Sequence, residues 1–466
     1  MSQTNIWWIR RDIRLNDNQT LHTALEGADY LVPLFIIEPE LMADAAPKRR
    51  AFLLSALADL DQQLRKWGSQ LIVRQGPASK AFQSLSEELE NMTIYTHKDF
   101  SPFARQRDRE IGAKFDLKFS KGVVLRHPTS VLKKDGYPYV IFTPYKNTWY
   151  QKPLPTPADI LPAPEKLPPL PEGLQTDSLP VADAPFGFPG TEEEARNRLS
   201  SFIENDIEKY QSQRDRMDLE GTSQLSPYFR FGLISPREAF AKAQVARIQA
   251  KGDKKRSEIS TWMDELVSRE FYTAILYHFP RVMYGPFREV YKDIRWRYAP
   301  NDLQTWQEGL TGFPIVDACM RQLLNTGWMH NRGRMIVASF LTKDLLINWQ
   351  EGESWFMANL VDGDPAANNG GWQWSAGTGT DAAPYFRIFN PVLQGQKHDP
   401  DGEYIAKWVP ELRELPVKFR HEPWKMNEGE AKSYNFKLGE DYPERIVDHK
   451  FARQRTLDAY KTARSN

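Results

Sequence analysis

The chain has 466 residues, enough for two or three domains, and its 41% hydrophobic and 26% charged side chains are an ordinary globular make-up. Lys+Arg and Asp+Glu balance at 61 each, which excludes a globally basic nucleic-acid-binding protein and makes any basic surface local. One cysteine, Cys319, excludes an intramolecular disulfide framework; with no secretory pattern in the first eight residues and no bilayer-length apolar run, the sequence predicts a cytoplasmic protein.

In chain order, Ile6-Trp7-Trp8-Ile9, Leu31 to Ile37, Leu71-Ile72-Val73 and Met92 to Tyr95 read as buried strands. Pro47 opens a helix with Leu53, Leu57, Leu60, Leu64 and Trp67 on one face, closed by Gly68, and a second helix fits Phe103 to Phe115. Strand-helix alternation at this spacing predicts an α/β N-terminal, Rossmann-like parallel-sheet domain over residues 1–130. The glycine-rich turn of a dinucleotide-binding fold is absent: Arg10-Arg11-Asp12-Ile13-Arg14-Leu15 follows the first strand, and the lone G-x-G-x-x-A match, Gly377 to Ala382, follows no strand. Residues 131–190 read as an interdomain linker, with eleven of the 33 prolines between Pro153 and Pro189 predicting an extended segment draped over the surface. Thr191, followed by three glutamates, is an N-cap, and helical periodicity dominates from there to about residue 360, so residues 191–466 form a larger all-α C-terminal domain.

Four segments of the helical region combine residue types able to carry chemistry. Tyr210 to Arg214, with Gly221-Thr222-Ser223-Gln-Leu225-Ser226, places three hydroxyls near a glycine; they suit phosphate oxygens, or an ordinary turn and helix cap. On the next helix Trp262, Glu265 and Arg269 share a face, suited to a planar ligand or to a surface ion pair. In Trp328-Met-His330-Asn331-Arg332-Gly-Arg334-Met335, an amide and a thioether one turn apart suit a flat heterocycle, and His330 is a proton donor or a satisfied, partly buried histidine. Asp362-Gly-Asp364-Pro to Asn368-Asn-Gly-Gly-Trp372-Gln-Trp374 lacks the later acidic ligands of a calcium loop; it is an Asx-type helix cap or a close approach to something flat, and no metal is expected. Ten of the 14 tryptophans lie between Trp262 and Trp424. No P-loop, zinc spacing or nucleophile elbow appears.

These segments, in this order, together with Trp8-Ile-Arg10-Arg11-Asp12-Ile-Arg14-Leu-Asn-Asp17-Asn18 and the run from Trp328 through Asp344 and Asp362 to Pro391, resemble the photolyase/cryptochrome family over nearly the whole chain, most closely class I photolyases of cyclobutane pyrimidine dimers. The resemblance implies that the all-α domain binds FAD and DNA. Tyr210, Thr222, Ser223, Leu225 and Ser226 would surround the FAD phosphates. Arg269, Asn331, Arg334, Asp362 and Asp364 would line the cofactor, and Asn368 would face flavin N5, where plant-type cryptochromes carry Asp and animal-type ones Cys. Trp372, Trp349 and Trp296 match a relay from flavin to surface. The implied activity is light-driven repair of pyrimidine dimers in DNA by electron transfer from excited FADH⁻ to a flipped-out dimer. Glu265, Asn331, Met335 and Trp374 would contact the dimer, and Arg214, Arg332 and Arg387 would lie towards DNA.

One position departs from the pattern: Ser268 stands where class I enzymes carry a dimer-stacking tryptophan, and Tyr228 or Trp262 are candidates to fill the gap. A second, antenna chromophore is implied, a deazaflavin, a flavin or methenyltetrahydrofolate; Asp99 to Arg105 resembles the deazaflavin- or flavin-type segment. The protein is expected to act as a monomer, nucleoid-associated when bound to DNA. Two rivals remain: a cryptochrome-type blue-light receptor, and a thermal flavoprotein oxidoreductase, which the missing nicotinamide fingerprint disfavours.

Overall fold

The computed structural model describes residues 2–43, 45–182 and 187–465. The chain forms two compact units, one of Met1–Tyr210, Ser223–Pro280 and Val361–Ala366, the other of Gln211–Thr222, Arg281–Leu360 and Ala367–Asn466. Both expected domain boundaries, at 130 and 190, fall inside the first unit.

The first unit is built on five parallel strands, β1 (Thr4–Ile9), β2 (Tyr30–Ile37), β3 (Ile72–Gln75), β4 (Met92–His97) and β5 (Leu117–Ser120), in the order β3-β2-β1-β4-β5. The four apolar runs read from the sequence are β1 to β4, and β1, buried along its whole length, is the central strand. Pro33 lies within β2 where a proline is tolerated: it pairs with Trp7 of β1, and the β3 pairing begins only at Leu34. Helices cover both faces, among them α1 (Pro47–Lys66) and α2 (Pro102–Gly112). The buried face of α1 holds Phe52, Leu54, Leu57, Leu60 and Leu64, while Leu53 and Trp67 are only half-buried, so the apolar stripe is displaced from the one expected.

The proline-rich connector protects the sheet edge. Leu31 N–H donates to the Pro169 carbonyl (3.1 Å), Val73 N–H to Thr176 Oγ1 (3.0 Å), and Asp177 N–H to the Val73 carbonyl (2.9 Å). Backbone groups that an exposed edge would leave open for association are thereby satisfied. The linker is not extended throughout: α3 (Phe142–Tyr150) buries Tyr145 and Trp149. Past it, α4 (Glu192–Asn205) starts where expected, with the Thr191 side chain accepting from Glu194 N–H. The first-turn Glu192 is itself buried and accepts from Leu15 N–H (2.8 Å) and Asn16 N–H (3.0 Å). Helices α5 (Ser226–Phe231) and α6 (Asp253–His278), with the helix Pro236–Gln249 between them, also belong to this unit.

The second unit is helical. Its core joins α7 (Pro314–Thr326), α8 (Asn331–Ser339), α9 (Trp349–Asn359) and α10 (Pro365–Ala376) through Cys319, Met320, Val337, Phe356 and Trp372. Helices continue beyond residue 360 to the terminal helix His449–Ser465, a region where Trp, Gly and Pro blur the periodicity.

Candidate active site

In the first unit, the loop after β1 occupies the place of a dinucleotide turn, and its amides are already engaged. Arg10 N–H donates to Asp12 Oδ1 (3.1 Å), Ile13 N–H to the Phe231 carbonyl (3.2 Å), and Leu15 and Asn16 to Glu192. Gly232, which closes α5 with φ +72°, lies so close that an added Cβ would sit 1.9 Å from the Arg11 carbonyl oxygen. This loop docks helices onto the sheet, and most of its amides are already hydrogen-bonded.

A different backbone cluster precedes α5. Gln224 adopts φ +48° and Leu225 follows with φ −87°, ψ −2°, successive conformations that turn neighbouring N–H groups to one side, as in an anion-binding nest. Ser223 Oγ accepts from Trp262 Nε1 (3.3 Å) and keeps its own hydrogen to donate. Tyr210 and Leu225 are buried, Tyr210 edge-on to Phe202 at 5.9 Å. On α6, Glu265 is half-buried, and Arg269 donates to the carbonyls of Val123 (2.7 Å) and Phe229 (3.4 Å), an arrangement that local spacing does not reveal. Of the two rings considered for the place of a stacking tryptophan, Tyr228 is fully buried against Phe52 and Trp262 is buried against Phe202, while Ser268 is half-buried.

Glu270, beside Arg269, is buried and accepts from Leu125 N–H, from Arg126 N–H (3.1 Å) and from Trp149 Nε1 (2.7 Å). Burial pushes its carboxyl up to about 7, and these donors offset the rise only in part. Asp362 is buried. Asp364 Oδ1 accepts from Ala366 N–H (3.0 Å), the Asx cap considered from sequence, and its Oδ2 takes Arg11 Nη2 at 2.7 Å.

In the second unit, His330 is the N-cap of α8: its Nδ1 accepts from Arg332 N–H (3.1 Å), so the neutral ring carries its hydrogen on Nε2. Among the described residues that buried Nε2 has no hydrogen-bond partner. Burial lowers the imidazole to about 4, Arg332, Arg334 and His398 adding to the fall and Asp215 opposing it. The residue is a neutral cap with a spare donor, not a proton donor at neutral pH. Asn331 is exposed and Met335 half-buried one turn later on the same helix. Arg332 is held by Asp215 (Nη2–Oδ2 2.6 Å), so its charge is already paired, whereas Arg387 is exposed and Arg214 and Thr222 are half-buried. Arg334 Nε donates to the Met329 carbonyl (2.9 Å).

On α10, Asn368 is buried, and its Nδ2 donates to the Glu353 carbonyl on α9 (3.0 Å). The amide is thereby oriented, with Oδ1 turned to the other side. Asn369 Nδ2 meets Glu353 Oε1 (3.0 Å), and burial raises the Glu353 carboxyl to about 7. Sequence reading missed Glu353; its one signal is the i, i+4 spacing from Trp349. Trp372 and Trp349 are buried, Trp296 and Trp374 half-buried. Trp372 meets Phe356 at 5.0 Å and Trp306 at 6.1 Å, both edge-on, and Trp296 meets Tyr460 at 6.2 Å.

Within the first unit the nest and the Ser223 hydroxyl are donors suited to an anionic group; within the second, the His330 Nε2–H and the oriented Asn368 amide are donors suited to a polar heterocycle. Two sequence profiles match the chain, one described as DNA photolyase over residues 5–165 and one as the FAD binding domain of DNA photolyase over residues 262–462. The chain belongs to the DNA photolyase family. A deoxyribodipyrimidine photo-lyase of Synechococcus is 40% identical, with 90% of each chain covered. Among solved structures, a class III photolyase of Agrobacterium tumefaciens superposes with a TM-score of 0.91 at 33% identity, covering 100% of this chain and 98% of that one. A cryptochrome of Synechocystis gives a TM-score of 0.89 at 27% identity over 98% and 99%. The α/β plus helical architecture and the FAD-binding domain expected from sequence are thus those of the family.

Proposed function

We propose that this chain is a light-dependent deoxyribodipyrimidine photo-lyase that splits cyclobutane pyrimidine dimers in DNA. The observation that carries this reading is the oriented amide of Asn368, in a chain similar to photo-lyases along nearly its whole length. Bound and reduced, FAD supplies the light-excited electron that opens the cyclobutane ring and then takes it back.

The chain's residues supply the setting. Tyr210, Thr222, Ser223, Leu225 and Ser226 hold the phosphates, with the amides around Gln224 as donors. Arg269, Arg334, Asp362 and Asp364 would line the cofactor, and Asn368, its Nδ2 held by the Glu353 carbonyl, would present Oδ1 as an acceptor to the flavin ring. The dimer leaves the duplex stack to reach the site. There Glu265, as a protonated carboxyl, would donate a hydrogen bond to it and so offset the negative charge it takes on; Asn331 would add an amide contact, and Met335 and Trp374 would pack against the bases. Arg214 and Arg387 face the DNA phosphates; Arg332 joins them only by loosening from Asp215. Trp296, Trp349 and Trp372 would serve as the relay that supplies electrons when the bound flavin is oxidised, since indole gives up an electron without breaking a bond. No helix among the described residues is long and apolar enough to cross a membrane. The protein works as a cytoplasmic monomer on nucleoid DNA.

The test is illumination of reduced holoprotein with blue light in the presence of dimer-containing DNA, with a dark control. Recovery of thymine absorbance in the light alone is expected; dimers left intact refute the proposal. Ser268, standing where class I enzymes carry a tryptophan, favours a cryptochrome-type receptor as the second reading, and preference for dimer-containing over undamaged DNA separates the two.

A further inference from the structure

The Arg10 to Asn18 loop, the sequence motif with no part in the chemistry above, touches the candidate flavin loop directly. We propose that Arg11 is a positioning residue that fixes the 362–364 loop and, through it, the start of α10. The inference rests on the reading that Asp362, Asp364 and Asn368 border the flavin.

Arg11 reaches two consecutive residues of that loop by two routes. Its Nη2 pairs with Asp364 Oδ2 at 2.7 Å. Its Nε donates to the Arg230 carbonyl (3.0 Å), and Arg230 Nε in turn donates to the Gly363 carbonyl (2.7 Å). Nη1 lies 3.6 Å from Asp99 Oδ2, at the end of β4, so the guanidinium is braced from the sheet side. Asp364 is divided between two tasks: Oδ2 takes Arg11 while Oδ1 caps α10 at Ala366. One carboxylate therefore couples the end of β1 to the first turn of the helix that carries Asn368. The side chains of the pair are only 15% and 17% exposed. Removing one partner leaves the other charge poorly solvated, the situation in which an ion pair has most leverage.

The surroundings leave little slack. Arg230 and Arg269 stand on the same cluster, and Gly232 admits no side chain against the Arg11 backbone. A cavity of about 20 Å³ borders Arg11, Asp99, Arg269 and Asp364, room for a single water. A shortened side chain at position 11 would let water onto the carboxylate and release the loop. Lysine cannot replace arginine here, because one ammonium cannot serve Asp364 and the Arg230 carbonyl in this fork geometry.

The experiment uses the full chain with Arg11→Gln, Asp364→Asn and the double variant. FAD is titrated into each apoprotein, and hydrogen exchange of the apoprotein amides at 366–369 is followed. Each single substitution is expected to weaken FAD binding tenfold or more and to speed exchange at 366–369, and the double variant to be no worse than the weaker single. FAD affinity within twofold of the parent, or additive losses in the double variant, overturns the proposal. Should Arg11→Gln not fold, Arg11→Lys takes its place, with faster exchange at 366–369 expected and unchanged exchange overturning the role. If the parent apoprotein binds no FAD, the flavin reading fails, while the exchange measurement still decides whether Arg11 positions the loop.

Discussion

Gly352 on α9 lies against the indole of Trp372: a Cβ built there would stand 2.1 Å from Cη2 and 2.4 Å from Cζ3 of that ring, and 2.7 Å from Leu341 Cδ2. Only a glycine lets the two helices close on the ring. Gly352→Ala must displace Trp372 or part the helices. Overpacking of this kind costs about 1–3 kcal/mol, offset by up to about 1 kcal/mol of helix propensity gained on replacing glycine. The expected outcome is a lower urea midpoint with an altered near-ultraviolet circular dichroism band. An unchanged midpoint and band would show that the ring has room to move.

Trp372 is buried between Phe356 and Trp306, whereas Trp296 is half-buried, the order a relay from interior to surface requires. Trp372→Phe preserves an aromatic ring in the slot but removes the more readily oxidised indole. Photoreduction of bound, oxidised flavin should slow at least tenfold, while repair by chemically reduced protein stays within about twofold. Equal loss of both activities would sink the relay assignment.

Much of this was legible in the sequence, for physical reasons that differ by element. Strands β1 to β4 are continuous apolar runs because both faces are covered, but β5, Leu117-Lys-Phe-Ser, is too short and mixed to register. The Thr191 cap was readable because capping is local chemistry. Asn331 and Met335 could be placed on one helix from spacing alone. Arg269 could not: its spacing from Glu265 suggests a surface pair, yet its partners are the carbonyls of Val123 and Phe229, distant in sequence. The same holds for Arg11 with Asp364 and for Glu353 with Asn368, contacts that only the folded chain creates.

His330 makes stability depend on pH. In the unfolded chain an imidazole takes its proton near 6.5, whereas in the folded protein burial delays this to about 4. Between these values the ring binds more protons in the unfolded state, so the stability that His330 contributes rises with pH across the window and is lost as pH falls through it. The full loss amounts to about 3 kcal/mol. His330→Asn keeps an acceptor for Arg332 N–H and removes the titration. Urea midpoints compared at pH 7.5, 6 and 5 should fall less steeply for the variant than for the parent; parallel curves would mean that other groups set the acid limit.

Ser268 lies half-buried on α6, the helix that carries Glu265, and the two rings best placed in sequence to replace a tryptophan are locked in the core. Position 268 itself therefore offers no ring on which a flipped base could stack. Stacking of a base on an aromatic ring is worth about 1–3 kcal/mol, so Ser268→Trp should tighten binding of dimer-containing DNA by roughly fivefold to a hundredfold. Binding of undamaged DNA should stay the same, because phosphate contacts dominate it and the substitution leaves them alone. Fluorescence anisotropy with the two DNAs measures both constants. Equal tightening on damaged and undamaged DNA would place residue 268 on the general DNA surface, and no change for either would place it away from the extruded base.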